Sequence, residues 1–318
     1  MRLPPVTPRT YRRITLVTVV MLAILVVTGA AVRLTSSGLG CSNWPSCTET
    51  HFVSVSGFHS QIEQINRLFT GVLSTVAVTA AVVGSFARVP RRRDLTWWSL
   101  GLVVGVLGNS VLGGIAVLTH LSAPIVMGHF LLAAVLIWNA VVLHDRAGHA
   151  DDSPALTAPP RARILGRVTV TLAAAVLFTG TIVTGTGPHG GDENVARLPF
   201  MVEDVARIHS LTAWAFLAVT IAFGWVLYRH GATRQAFRRL RWLVLVVVAQ
   251  GALGYTQYFL GVPPGLVALH VAGSVAVWVA TLVTYLGLFS YPAEIVDDDV
   301  AATVTTATGG EHVTTAVR

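Results

Sequence analysis

Eight apolar runs, each long enough to cross a bilayer, constrain this 318-residue chain more than any other feature. They fall at about 14–32, 66–87, 95–117, 124–143, 165–185, 206–228, 241–260 and 265–289. A spanning helix needs roughly 20 residues. Hydrocarbon offers no water to backbone N–H and C=O groups, so runs of this kind must close their hydrogen bonds within themselves, as helices. Charged residues make up 12% of the chain, half of what a soluble domain usually carries, about 25%. The fold class read from this is all-α integral membrane. Arg12 and Arg13 precede the first run as they would a secretory signal. That run, at about 19 residues, exceeds a signal core and is read as a span.

The net charge is +7, and all 22 basic residues are arginine. Arg2, Arg9, Arg12 and Arg13 precede the first span; Arg88, Arg91, Arg92 and Arg93 follow the second. The 4–5 connection holds Arg146, Arg161, Arg163 and Arg167, and the 6–7 connection holds Arg229, Arg234, Arg238, Arg239 and Arg241. The alternate connections offer Arg33, Arg67, Arg197 and Arg207. Basic residues stay on the cytoplasmic side, so both termini are expected there and the 1–2, 3–4, 5–6 and 7–8 connections outside. The arginines flank spans rather than form one basic face, which excludes a nucleic-acid partner. From Tyr291 the chain turns acidic and then small and polar, and 290–318 is read as a disordered cytoplasmic tail.

The two cysteines, Cys41 and Cys47, share the outward 1–2 connection. An oxidising compartment permits a bridge there. A structural staple and a redox-active pair are both open on sequence.

An internal repeat underlies the apolar text. Placing His129 on His270, 141 positions later, also puts Leu112-Gly113 on Leu253-Gly254. Thr28-Gly29-Ala30 resembles Thr179-Gly180-Thr181, and both lead into glycine-rich outward loops. The chain therefore reads as two pseudo-symmetric four-helix halves, 14–143 and 165–289, joined by a polar linker at 144–164. With an even number of spans each, the halves share one orientation, as parallel repeats do.

His129, His209 and His270 lie inside apolar helices, about three to five residues past the outer end, or roughly 5–8 Å deep. The other eight histidines, His144 among them, read as loop or tail residues. Ionisable groups inside a membrane are costly and usually mark a site. His209 and His270 occupy matched depths in one half, where two imidazoles on facing helices can hold a haem iron from both sides. A closed zinc site would want four ligands, more than these helices offer. In the first half, span 4 supplies His129, while the position matching His209 is Asn66, a poor iron ligand. His59, in the outer loop, is a candidate substitute. An open iron position suits oxygen chemistry; a closed bis-histidine iron suits electron transfer. Glu63, one turn before Asn66, is either a proton-handling carboxylate or a helix-start carboxylate favoured by the dipole.

The segments "GAAVRLTSSGLGCSNWPSC" (29–47), "IEQINR" (62–67), "HLSAPIVMGHF" (120–130), "TGTGPHGGD" (184–192), "RIHSLTAW" (207–214) and "GVPPGLVALHVAGS" (261–274) resemble the haem A synthase family. The resemblance covers about 14–290 and implies an eight-helix enzyme that oxidises a methyl group of haem O to formyl, through an alcohol, to give haem A for cytochrome oxidase. It implies haem b on His209 and His270, and haem O or haem A on His129, in a site that also takes in Asn66, Arg67 and His59. It makes Glu63 the candidate catalytic carboxylate and Cys41–Cys47 a disulfide, a redox pair or a haem-handover element. Two departures stand out. Many members have histidine at the position of Asn66, and some carry a second cysteine pair in the 5–6 loop, which here has none. Expected partners are haem O, an unidentified electron donor, membrane lipid, and by analogy the enzyme that makes haem O and the machinery that assembles cytochrome oxidase. The rival readings are a dihaem membrane electron carrier of the cytochrome b kind and, less well supported, a parallel-repeat transporter, which would want polar residues at mid-depth.

Overall fold

The computed structural model describes residues 4–149, 155–156 and 158–290. Its helices are α1 Pro8–Leu34, α2 Phe58–Ala87, α3 Arg93–Leu118, α4 Ala123–Ala147, α5 Pro160–Thr186, α6 Val202–Arg229, α7 Arg234–Phe259 and α8 Pro264–Leu286. All eight are long and apolar enough to cross a membrane. A two-residue antiparallel ladder, β1 (Ala155–Leu156) with β2 (Phe289–Ser290), ties the segment before α5 to the chain beyond α8. The tail from Tyr291 lies outside the described residues.

Every helix expected from the apolar runs is present, and the helices run past those runs at most ends. Proline in the first turn opens α1, α4, α5 and α8, where the missing N–H would have no intrahelical partner. Thr7 caps α1 by accepting from Thr10 N at 3.2 Å. The largest difference is α2, which begins at Phe58 rather than at 66. Ser60 Oγ accepts from Gly57 N at 3.0 Å and donates back to Gly57 O at 2.9 Å, fixing that earlier start. Glu63 and Asn66 thereby lie inside a helix. His144, expected in the polar linker, is instead a residue of α4 and hydrogen-bonds Thr15 of α1 at 3.0 Å.

Neighbouring helices pack in chain order: α1 on α2, α2 on α3, α3 on α4, then α5 on α6, α6 on α7 and α7 on α8. The centre is built from α1, α4, α5 and α8, which also pack across the chain midpoint. Large apolar side chains of α2, α3, α6 and α7, such as Val72, Val104, Leu211 and Leu245, remain exposed, as lipid-facing residues should. Close approach within the bundle uses small residues, as membrane helices do. At Gly105 of α3 a β-carbon would stand 2.6 Å from Leu136 Cδ1 of α4.

A polar contact joins α8 to α4: the indole Nε1 of Trp278 donates to the carbonyl of Ala134 at 2.9 Å. Trp278 is buried. Trp278→Phe keeps an aromatic ring and removes this donor. We expect it to lower stability by about 1 kcal/mol, the usual net worth of one hydrogen bond, read as a lower thermal midpoint of the detergent-solubilised protein.

Candidate haem site

Three imidazoles stand at similar distances from the starts of their helices. His129 follows the start of α4 by six positions, His209 that of α6 by seven and His270 that of α8 by six, or roughly 9–11 Å along each axis. Each ring rests on a glycine of the preceding helix. A β-carbon at Gly113, Gly180 or Gly254 would stand 3.2, 3.1 or 3.0 Å from the Cε1 of His129, His209 or His270. Any larger residue at these positions would press against the imidazole. Gly113 and Gly254 are the pair that the internal repeat aligns; their partnership with the histidines was visible only in three dimensions.

His209 and His270 face one another with ring centroids 6.4 Å apart, their planes inclined at 69°. A metal–imidazole nitrogen bond is about 2 Å, so two rings sharing one metal ion from opposite sides should have centroids roughly 6 Å apart. The observed spacing fits that arrangement, and it is also within the range of edge-to-face ring packing. Of the two rings, His209 has a hydrogen-bond partner on Nδ1, while Nδ1 of His270 is buried without one. Thr179 Oγ1 donates to Ala175 O at 3.0 Å, so its lone pairs remain to accept from His209 Nδ1, also at 3.0 Å. With the hydroxyl accepting, Nδ1 carries the proton and Nε2 is left basic, as in a histidine that ligates a metal through Nε2. On the opposite helix Gln250 Nε2 donates to the carbonyl of His270 at 2.6 Å. Among the described residues no three His, Cys, Asp or Glu groups gather as metal ligands.

The first half differs at one corner. Asn66 takes the α2 position that matches His209, and a β-carbon added at Gly29, the counterpart of Gly180, would meet nothing within 4 Å. Asn66 Oδ1 is buried and has no hydrogen-bond partner. His59 is exposed and hydrogen-bonds Ser37 Oγ at 3.0 Å through Nδ1.

Cys41 and Cys47 are joined as a disulfide. Their loop lies over the first turns of α2. Glu63, which is 5% exposed, accepts from the backbone N–H of Cys41 at 2.7 Å through Oε2. Its Oε1 accepts from Arg67 Nε at 2.9 Å and Nη2 at 2.5 Å. Arg67 Nη1 in turn donates to Asn43 O at 3.0 Å and Ser46 O at 3.4 Å. Trp44, in the same loop, packs on Gly114 of α3, where a β-carbon would stand 2.4 Å from the indole. Glu63, Arg67 and the disulfide loop are thus one unit. Gln64, buried with Oε1 3.6 Å from Cys41 Sγ, belongs to it and carried no sequence signal.

The family profile described as COX15-CtaA, cytochrome oxidase assembly protein, matches residues 12–57 and 50–282. Among curated relatives, "Heme A synthase" of Bacillus pumilus is 26% identical over 279 residues, covering 77% of this chain and 87% of the relative. "Heme A synthase" of a Bradyrhizobium species is 24% identical over 304 residues, covering 79% and 83%. "Heme A synthase" of Geobacillus kaustophilus is 31% identical over 107 residues, and this chain spans a third of its length (33%).

The loop clamp gives a stability prediction. Arg67→Leu leaves the Glu63 carboxylate buried without its cationic partner and should cost about 3 kcal/mol. Glu63→Gln in the same background should recover part of that loss in thermal unfolding. Equal midpoints for Arg67→Leu and wild type would show that the clamp contributes nothing.

Proposed function

The chain belongs to the COX15-CtaA family of cytochrome oxidase assembly proteins, and from that premise we propose that it is a membrane haem A synthase, oxidising a methyl group of haem O to formyl through an alcohol. The observation that carries this reading is the asymmetry of two sites at similar depth. One has an opposed imidazole pair 6.4 Å apart; the other has a single imidazole facing a corner where asparagine replaces the second.

In this reading the halves 14–143 and 165–289 divide the work. His209 and His270 hold haem b, which when bound supplies one-electron transfer. Thr179 keeps the His209 proton on Nδ1, and Gly180 and Gly254 give the two rings their places. His129, resting on Gly113, ligates the iron of the substrate haem. Asn66 leaves the opposite face of that iron without an imidazole, as an oxidation needs and an electron carrier does not. Glu63 is the candidate catalytic carboxylate, held by Arg67 and by the Cys41 N–H against the disulfide loop. Arg67 acts through Glu63 as a positioning residue. His59 stays a reserve ligand that would have to leave Ser37. The arginine distribution puts both termini in the cytoplasm and the haem sites toward the outer face of the cell membrane. An electron donor, the enzyme that supplies haem O and the oxidase-assembly machinery that receives haem A are the partners this chemistry requires.

The test is extraction and chromatography of haems from cells with and without the protein. Formyl-bearing haem should appear only with it; haem b alone would establish the electron carrier instead. His209→Ala should abolish the bis-imidazole absorption spectrum of the purified protein. Asn66→His should close the open corner, giving a second low-spin haem signal and at least a tenfold fall in haem A yield. An unchanged yield with a new low-spin signal would refute the assignment of the open face.

A further inference from the structure

The two halves differ a second time, one turn deeper on the helix that precedes the ligand. Gln250 of α7 and Asn109 of α3 are 141 positions apart, the same offset as His270 and His129. Gln250 lies folded against α8. Its Nε2 binds the carbonyl of His270, and it occupies the space over Gly273, where a β-carbon would stand 1.9 Å from Gln250 Oε1. The residue matching Gly273 in the first half is Leu132. Leu132 Cδ2 already reaches Gly108, where a β-carbon would stand 3.4 Å away. Asn109 therefore has neither the length nor the space to fold onto α4, and its Oδ1 is buried with no partner.

Asn66 carries the same kind of orphan. Asn66 lies eight positions into α2 and Asn109 nine positions from the outer end of α3, about 12 and 13 Å along their axes. That is close to the level of His129. Asn109 also falls on the stripe of α3 that carries the buried Leu95 and Leu102, so it faces the interior of the first half. Gln257, whose Oε1 is likewise unpartnered, lies two positions from the outer end of α7 and above this level. Within about one helical turn of the imidazoles, among the described residues, the first half thus has two buried carbonyl-type acceptors with nothing to accept from, and the second half has its amide spent on backbone.

A buried acceptor left unpaired costs free energy until a donor arrives. Neither the methyl of haem O nor the final formyl can donate; the alcohol between them can. We propose that Asn66 and Asn109 are positioning residues that accept a hydrogen bond from the hydroxyl of the alcohol intermediate and retain it for the second oxidation. The inference rests on the reading of the first half as the substrate side. Discrimination of this kind is strong, because a site built around a hydroxyl leaves its own polar groups unpaired when the hydroxyl is absent.

The experiment titrates the purified protein, carrying its His209–His270 haem, with haem O and with the hydroxymethyl derivative of haem O. Wild type should bind the hydroxymethyl form roughly tenfold more tightly, the effect of one net hydrogen bond. Asn109→Leu should erase that preference while leaving the bis-imidazole spectrum intact, and Asn109→Asp, which keeps an acceptor, should retain it. If Asn109→Leu loses the bis-imidazole spectrum, Asn109→Ala replaces it with the same expectation. Haems extracted from cells carrying Asn109→Leu should show a raised ratio of alcohol to formyl product. Equal affinities of wild type for the two forms, or a preference that survives removal of the amide, would overturn the proposal and leave haem A synthesis standing. Binding of neither form would overturn the substrate-side reading and the proposal with it.

Discussion

The distance between two imidazole rings organises this protein. His209 and His270 are 6.4 Å apart at their centroids in an edge-on arrangement, a spacing that also suits one metal ion shared between two imidazoles. Inside a membrane such a pair is expensive to keep unless something occupies the space between the rings. The surrounding sequence is arranged to keep it: glycine under each ring, a threonine hydroxyl on one Nδ1, a glutamine amide on the carbonyl of the other. The bundle supplies the helices, and single side chains contact the two rings and the backbone beside them.

The first half keeps the scaffold and drops part of the ligand set. His129 on Gly113 repeats His270 on Gly254. At the other corner asparagine replaces histidine, and its glycine partner faces open space. The disulfide loop is confined to this half. It seats Trp44 on α3 and the Cys41 N–H on Glu63, which ties the loop to α3 and to the helix that carries Asn66.

Much of this was legible in the sequence. Helix number followed from apolar run length, because the bilayer allows little else. The histidines declared themselves by standing where lipid solubility argues against them. Helix starts were less legible: α2 begins at Phe58 because Ser60 caps it and because polar residues near the interface can be helical too. The roles of Thr179, Gln250 and Asn109 were hidden for another reason. Threonine or an amide in a membrane helix has many uses, and only the partner across the interface decides between them. The contrast between Gln250 and Asn109 turns on whether residue 273 or 132 is glycine or leucine, a difference with no meaning until α8 and α4 are placed beside their neighbours. Glu63 shows the same limit, since spacing put it near Asn66 but could not show that its oxygens are taken up by Arg67 and the loop.

The similar depth of the three imidazoles has an electrical consequence. Moving an elementary charge through the full membrane potential costs or yields about 2.3 kcal/mol per 100 mV. A charge passing between the height of His270 and the height of His129 travels along the plane of the bilayer, so almost none of that work is done. On the proposed assignment, exchange between the halves would do little work against the cell's voltage, and its direction would follow from the chemistry of the two sites, in an energised membrane as much as in a collapsed one.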